Sequence, residues 1–307
     1  MKIAAMAAGA VGGYFGARMA AAGHDVTFIA RGAHLDAIRA DGLTLESSLG
    51  NLHLKNAKVT ADPADVGPVD IVLFAVKLWD TEIAAAQARP LMGPNTRLIT
   101  VQNGVDSVER IAPILGADQV AGGIAYIATV IERPGVVAHT SQFAGMRCGR
   151  VDGKPDPMLD AFADAAKSAS IDIATSSAIN PDRWRKFTFL VALSGMTSAT
   201  RQPIGVTMAD PDMKRFFRQL MEEVVAVGRA SGVDLGNSFV DEQMKFAEGV
   251  PAGMKASMAH DLERGNRIEL DWLAGKVVEL GRKLKVPVPA NEAVYALLKP
   301  YRLGRPG

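Results

Sequence analysis

Cysteine is almost missing from this chain: Cys148 stands alone among 307 residues. A single thiol excludes an internal disulfide and fits a reducing compartment. It falls in the strand-like MRCG, where packing is expected and a catalytic thiol is not. Histidine is scarce too. His24, His34, His53, His139 and His260 show no zinc-type spacing with one another or with Cys148, so no metal site is expected. Neither sign of charge is in excess, with Lys+Arg 34 against Asp+Glu 33, which leaves no bulk basic surface to suggest a nucleic acid or a membrane as partner. No apolar run reaches the roughly 20 residues of a membrane span. The small apolar stretch from Met1-Lys2 to Ala17 has the outline of a secretory signal, yet it is mostly Ala and Gly and leads directly into a strand. It reads as mature structure, and the chain as cytoplasmic.

What is present is a globular composition, 48% hydrophobic and 22% charged, long enough for two domains of ordinary size. Lys2 to Arg31, KIAAMAAGAVGGYFGARMAAAGHDVTFIAR, reads as strand, glycine turn, helix and second strand, the size of one βαβ crossover. In G-x-G-x-x-G register the second and third glycines are Gly9 and Gly12, while Ala7 takes the place of the first. Gly9, Ala10, Val11 and Gly12 form the expected phosphate cradle. Gly9 permits close approach of a pyrophosphate, Gly12 permits tight packing of helix on strand, and the helix start offers N–H groups and a positive dipole. A cofactor with a free ribose 2′-hydroxyl usually meets Asp or Glu at the end of the second strand. This strand ends in Ala30-Arg31-Gly32, and a guanidinium suits a 2′-phosphate. NADPH is therefore the expected cofactor, the alternative being a solvent-exposed arginine after a strand.

Further on, Ala33 to Ala40 reads as a short helix and Leu43 to Leu54 as a hairpin. Val69 to Val76 has the unbroken apolar run of a strand buried on both faces and delivers Lys77 at its carboxyl end, where open α/β sheets bind ligands. Thr96 to Val101 likewise delivers Gln102-Asn103-Gly104, which is either a site loop or an ordinary Asn-Gly turn. Strands over Val120 to Val130 and Gly135 to Arg147, joined at Glu132-Arg133-Pro134-Gly135, are expected as an antiparallel addition to the sheet. His139 among them reads as a packed or partly exposed strand histidine and not as a catalyst. The strand–helix alternation stops after Ile171 to Thr175. From Asn180 onward the pattern is helical: Trp184 to Thr200, Asp212 to Ser231, Ser238 to Gly249, Gly253 to Arg264, Glu269 to Lys285 and Asn291 to Lys299. The expectation is an α/β chain, with an N-terminal Rossmann-type doubly wound sheet at 1–176 and an all-helical C-terminal domain at 181–307, with a cleft between them. The apolar helical domain is compatible with a homodimer without requiring one.

The glycine turn, Ala30-Arg31-Gly32, Val76-Lys77, Gln102-Asn103-Gly104, Trp184-Arg185-Lys186-Phe187 and the run from Ser257-Met258 to Glu269 occur in one order along nearly the whole chain. In this ordered set the sequence resembles the 2-dehydropantoate 2-reductase (ketopantoate reductase) family. The resemblance implies NADPH-dependent reduction of a 2-oxo acid to a 2-hydroxy acid, as in pantothenate biosynthesis. It implies Lys186 as the catalytic lysine, Glu269 as its acidic partner, Asn103 as a residue ordering cofactor and lysine, and Ser257 as a contact to the substrate carboxylate. Those residue types suit the chemistry, since hydride addition to a ketone builds alkoxide charge that an ammonium can neutralise and protonate. Where many family members carry substrate-contacting asparagines, this chain has Leu190, Ser194 and Met254. Each lost amide is worth about 1–3 kcal/mol if a buried substrate group is left unpaired. A less polar 2-oxo acid or ketone therefore stays open beside ketopantoate. So do a β-hydroxyacid-type dehydrogenase, which lacks its serine-rich glycine loop here, and a non-catalytic NADPH-binding sensor.

Overall fold

The structure, a computed structural model, describes residues 1–305. The chain falls into two compact units, one of residues 1–102 and 106–179, the other of Asn103–Val105 with the chain from Asn180 onward.

The first unit is built on strands β1 (Lys2–Met6), β2 (Asp25–Ile29), β3 (Leu43–Ser47), β4 (Leu52–Leu54), β5 (Lys58–Thr60), β6 (Val69–Phe74), β7 (Met92–Thr100), β8 (Val120–Tyr126), β9 (Thr129–Arg133), β10 (Val136–His139), β11 (Gly145–Gly149) and β12 (Asp172–Thr175). Its helices are α1 (Ala10–Ala21), α2 (Gly32–Asp41), α3 (Thr81–Gln87), α4 (Ser107–Leu115) and α5 (Pro157–Ser168). Eight strands form one sheet in the order β12-β11-β8-β7-β6-β1-β2-β5. From β5 to β8 every pairing is parallel, and the chain turns outward in both directions from the β1–β6 pair. That reversal is the topological switch point of a doubly wound dinucleotide-binding sheet, and the carboxyl ends of β1 and β6 lie side by side there. The central strands are buried on both faces, with Ile71, Val72, Leu73 and Phe74 at 1% exposure or less, as their unbroken apolar run requires. Helix α1 lies close on this sheet because it presents glycine: a Cβ on Gly16 would stand 2.8 Å from the Phe28 ring and 3.2 Å from the Ala5 methyl.

Two expectations for this unit need correction. The strands after β8 do not all extend the main sheet: β11 pairs antiparallel with β8, but β9 and β10 join β3 and β4 in a separate four-stranded sheet ordered β4-β3-β10-β9. There β10 runs parallel to β3, and Val137 packs into the core under the Gly13 face of α1. The strand β5 was not legible, being three residues long at the sheet edge with Val59 as its one aliphatic residue. His139 packs as expected, its Nδ1 2.8 Å from Ser47 Oγ and its Nε2 2.9 Å from Ser141 Oγ. Cys148 is fully buried, and burial pushes its thiol up to about 12, which leaves it unreactive.

In the second unit the helices are α6 (Ile179–Thr200), α7 (Ile204–Ala209), α8 (Pro211–Ala230), α9 (Phe239–Gly249), α10 (Ser257–Arg264), α11 (Ala274–Leu284) and α12 (Pro289–Leu298). Helix α6 is buried along much of its surface, including Trp184, Phe187, Val191, Ala192, Leu193 and Met196, so it runs through the core of the unit. Helix α8 is amphipathic and lays Phe217, Leu220, Met221, Val224 and Val227 against that core. None of the described helices is long and apolar enough to cross a membrane. Three helix starts differ from expectation, the first being that of α6, which begins at Ile179 and not at Trp184. Helix α10 begins at Ser257, four residues after Gly253, because Pro251 to Lys255 is taken up by a turn whose Met254 carbonyl accepts from Ile204 N–H. The helix expected from Glu269 is a short 3₁₀ turn, Leu270–Trp272, before α11.

The start of α12 is satisfied from a distance. Glu223, on α8 and 7% exposed, accepts from Ala290 N–H at 2.8 Å, Asn291 N–H at 2.9 Å and Asn291 Nδ2 at 2.8 Å. A carboxylate beside a helix N-terminus is favoured by the dipole and the orphan donors there. Removing it strands three donors in the interior. We expect Glu223→Ala to lower stability by about 2–4 kcal/mol, read as a lower denaturant midpoint in circular dichroism.

Candidate active site

In the first unit, β1 ends at Met6 and α1 begins at Ala10, with Gly9 as its N-cap residue. No side chain caps this helix and its first turn carries no acidic residue, so the N–H groups of its opening turn are available to an anion. A Cβ added to Gly9 would meet nothing within 4 Å, whereas one added to Gly12 would collide with the Ala7 carbonyl oxygen, with the Ala75 methyl in ordinary contact at 3.5 Å. One glycine thus leaves open space at the helix start and the other seats the helix against the end of β1. The open space and uncapped, uncharged helix end fit the pyrophosphate of a dinucleotide.

Arg31 follows β2 as the N-cap residue of α2, exposed, with its Nη2 3.4 Å from Asp80 Oδ2. Lys77 leaves β6 into the turn before α3, exposed, its Nζ 5.7 Å from the centre of the Trp79 ring. These residues all belong to the first unit. His34 was not singled out for a site in the sequence and lies close by: its Nδ1 accepts from Gly135 N–H at 3.0 Å, and burial lowers its pKa while the Ala8 backbone works the other way. In its neutral form, with Nδ1 as acceptor, it ties α2 to the turn between β9 and β10.

In the second unit three expected residues come together. Lys186 on α6 donates from Nζ to Asn103 Oδ1 at 3.0 Å. The residue before Asn103, Gln102, is pinned within the first unit: its Nε2 donates to the Val76 carbonyl at 3.0 Å and to Thr81 Oγ1 at 2.9 Å. Gly104 follows at φ +118°, a conformation that favours glycine, and turns the chain into α4. Glu269 is 8% exposed, not the solvated carboxylate that a helix start would suggest. Burial lowers the Lys186 ammonium from 10.5 to about 8, and the charge of Glu269 opposes that fall. An ammonium that holds its proton at neutral pH but gives it up one unit above is matched to proton transfer.

Ser257 is exposed at the first position of α10; no hydrogen bond joins it to Lys186, Asn103 or Glu269 among the described residues. Leu190, one helical turn beyond Lys186, and Met254 are half-buried and pack against the helical core. Ser194, a further turn along, is 1% exposed with its Oγ lacking a hydrogen-bond partner.

Residues 3–153 match the family described as ketopantoate reductase PanE/ApbA, and residues 178–302 match the ketopantoate reductase PanE/ApbA C-terminal family. The chain is 31% identical over 322 residues to a 2-dehydropantoate 2-reductase of Mesorhizobium japonicum, covering 97% of both. It is 28% identical over 301 residues to YkpB, an uncharacterized oxidoreductase of Bacillus subtilis, covering 98% of this chain and 99% of the other. Among solved structures, a PanE/ApbA family ketopantoate reductase of Ralstonia eutropha superposes with a TM-score of 0.90 at 34% identity over 98% of each chain. A D-mandelate dehydrogenase bound to NADH and anilino(oxo)acetate reaches the same TM-score at 18% identity, a likeness of fold alone. With a doubly wound sheet, an all-helical second unit and two family matches that between them span nearly its whole length, the chain belongs to the ketopantoate reductase family of nicotinamide-dependent oxidoreductases.

Proposed function

We propose that this protein reduces a 2-oxo acid to a 2-hydroxy acid with NADPH, with 2-dehydropantoate to pantoate in cytoplasmic pantothenate biosynthesis as the leading assignment. The observation that carries it is the Lys186–Asn103 hydrogen bond of 3.0 Å beside the charge of Glu269. The nicotinamide, when bound, supplies the hydride. Gly9, Ala10, Val11 and Gly12 receive the pyrophosphate on backbone N–H groups, Arg31 takes the 2′-phosphate, and Lys77 adds charge on the same rim of the sheet. Asn103 holds the Lys186 ammonium by its side-chain oxygen and fixes the direction of its remaining protons. Lys186 then donates to the carbonyl oxygen as negative charge develops there, and the proton moves from Nζ to the new hydroxyl. Glu269 keeps the ammonium charged until that moment. Ser257 offers a hydroxyl and a helix-start position to the substrate carboxylate.

A second reading has its own observation. Leu190 and Met254 present hydrocarbon where an amide would recognise a hydroxylated substrate, which favours a less polar 2-oxo acid. Following NADPH absorbance with ketopantoate and then with alkyl- and aryl-substituted 2-oxo acids decides between them. Turnover of ketopantoate at the highest kcat/KM supports the first reading, and an aryl or alkyl acid preferred by tenfold or more moves the protein to the second. Tight NADPH binding without turnover of any of them would leave a sensor.

A further inference from the structure

We propose that Asp80 sets the balance between NADPH and NADH, by occupying one edge of the Arg31 guanidinium and offering an acceptor of its own to the adenosine ribose. The inference rests on the dinucleotide reading above and concerns a residue that the reading leaves without a role. Asp80 does not come from the end of β2, where an acidic ribose ligand usually stands. It comes from the turn after β6, the strand on the far side of β1, and its own N–H is held by the Lys77 carbonyl at 2.9 Å.

Its orientation is informative. Asp80 closes the 3₁₀ turn Leu78–Asp80 that runs into α3, and at φ −102°, ψ 3° it lacks the extended backbone from which an aspartate accepts from the N–H groups of its own helix. It makes no such bond. Its Oδ2 lies instead 3.4 Å from Arg31 Nη2, with the two side chains 34% and 67% exposed. The carboxylate stands at the guanidinium, in contact with one nitrogen only. A guanidinium carries five N–H donors in a planar fork, so a 2′-phosphate can still engage the remaining edge, but within reach of a fixed negative charge. A phosphate monoester carries about −1.5 to −2 at neutral pH, and the carboxylate opposes it. A free 2′-hydroxyl meets the same carboxylate as a donor meets a charged acceptor, which is favourable. One side chain therefore weakens NADPH and strengthens NADH, leaving a preference for NADPH narrower than Arg31 alone would give.

The test is direct binding, by isothermal titration calorimetry of the full chain with NADPH and with NADH, for wild type, Asp80→Asn and Asp80→Ala. The expected wild type binds both dinucleotides, with Kd values within about tenfold of each other. Both variants should bind NADPH about 5-fold more tightly and NADH about 5-fold more weakly, so the ratio of the two constants shifts about 25-fold. The tightening of NADPH should shrink in high salt, because it is electrostatic. Melting temperatures of the unliganded variants within a degree or two of wild type would show that the fold is intact. Unchanged constants for both dinucleotides, or a parallel change in both, would overturn the role of Asp80 while leaving the dinucleotide reading in place. Failure of the wild type to bind either dinucleotide would overturn both.

Discussion

Replacing Lys186 by alanine should lower kcat/KM for 2-oxo acid reduction by about 10³-fold while leaving dinucleotide affinity unchanged. Removing a positioned general acid typically costs 10²–10⁴ in rate, and in the proposed mechanism the same group also neutralises the alkoxide. The pH profile identifies the group. Wild-type reduction should hold to about pH 8 and fall above it, since the ammonium titrates near 8 and only about one-tenth of it remains charged at pH 9. The limb must vanish in Lys186→Ala. Glu269→Gln removes a charge that raises the lysine pKa, so the limb should move to lower pH, and a shift upward would contradict the assignment. Stability follows the same titration. The unfolded chain holds this proton up to 10.5 and the folded chain only to about 8, so the unfolded state binds more protons between those values. The contribution of Lys186 to stability therefore rises with pH across that window, and its cost is fully present below pH 8.

Sequence and structure agree most closely where local pattern determines the outcome. The β1–α1–β2 unit and the buried run of β6 each carry their own signal in apolar continuity or glycine placement. What escaped depends on partners far away in the chain. That β10 would pair parallel with β3, and not extend the main sheet, rests on packing of Val137 beneath α1, which no local period encodes. Glu223 looks like any helix carboxylate until α12 arrives 67 residues later to lay its N-terminus on it. At the candidate site, Lys186, Asn103 and Glu269 were legible as residue types in family order. The hydrogen bond that brings Asn103 to Lys186 spans 83 residues of chain, a separation that no local pattern encodes. Asp80 was not legible, because the guanidinium it meets lies 49 residues earlier in the chain.

Gly9 and Gly12 should separate the fold of the cofactor turn from its function. Gly9→Ala adds a methyl where nothing stands within 4 Å, and the residue's φ of −74° is open to alanine. The variant should fold with unchanged stability. The methyl would nevertheless fill the space through which a pyrophosphate approaches the N–H groups of α1. Losing one or two charge-assisted hydrogen bonds, each worth about 1.5–3 kcal/mol, should weaken NADPH binding about 10²-fold. Gly12→Ala acts differently. Its methyl collides with the Ala7 carbonyl oxygen, which belongs to the backbone at the end of β1 and cannot swing aside as a side chain would. Helix and strand must part, at a cost of about 1–3 kcal/mol as in other overpacked cores, and the N–H groups of the opening turn move with the helix. Calorimetric NADPH titration and thermal melting of the two variants should therefore give binding loss alone for Gly9→Ala and loss of both for Gly12→Ala. Equal destabilisation by the two would mean that the space beside Gly9 is structural, and the turn would lose its standing as the place where the phosphates lie.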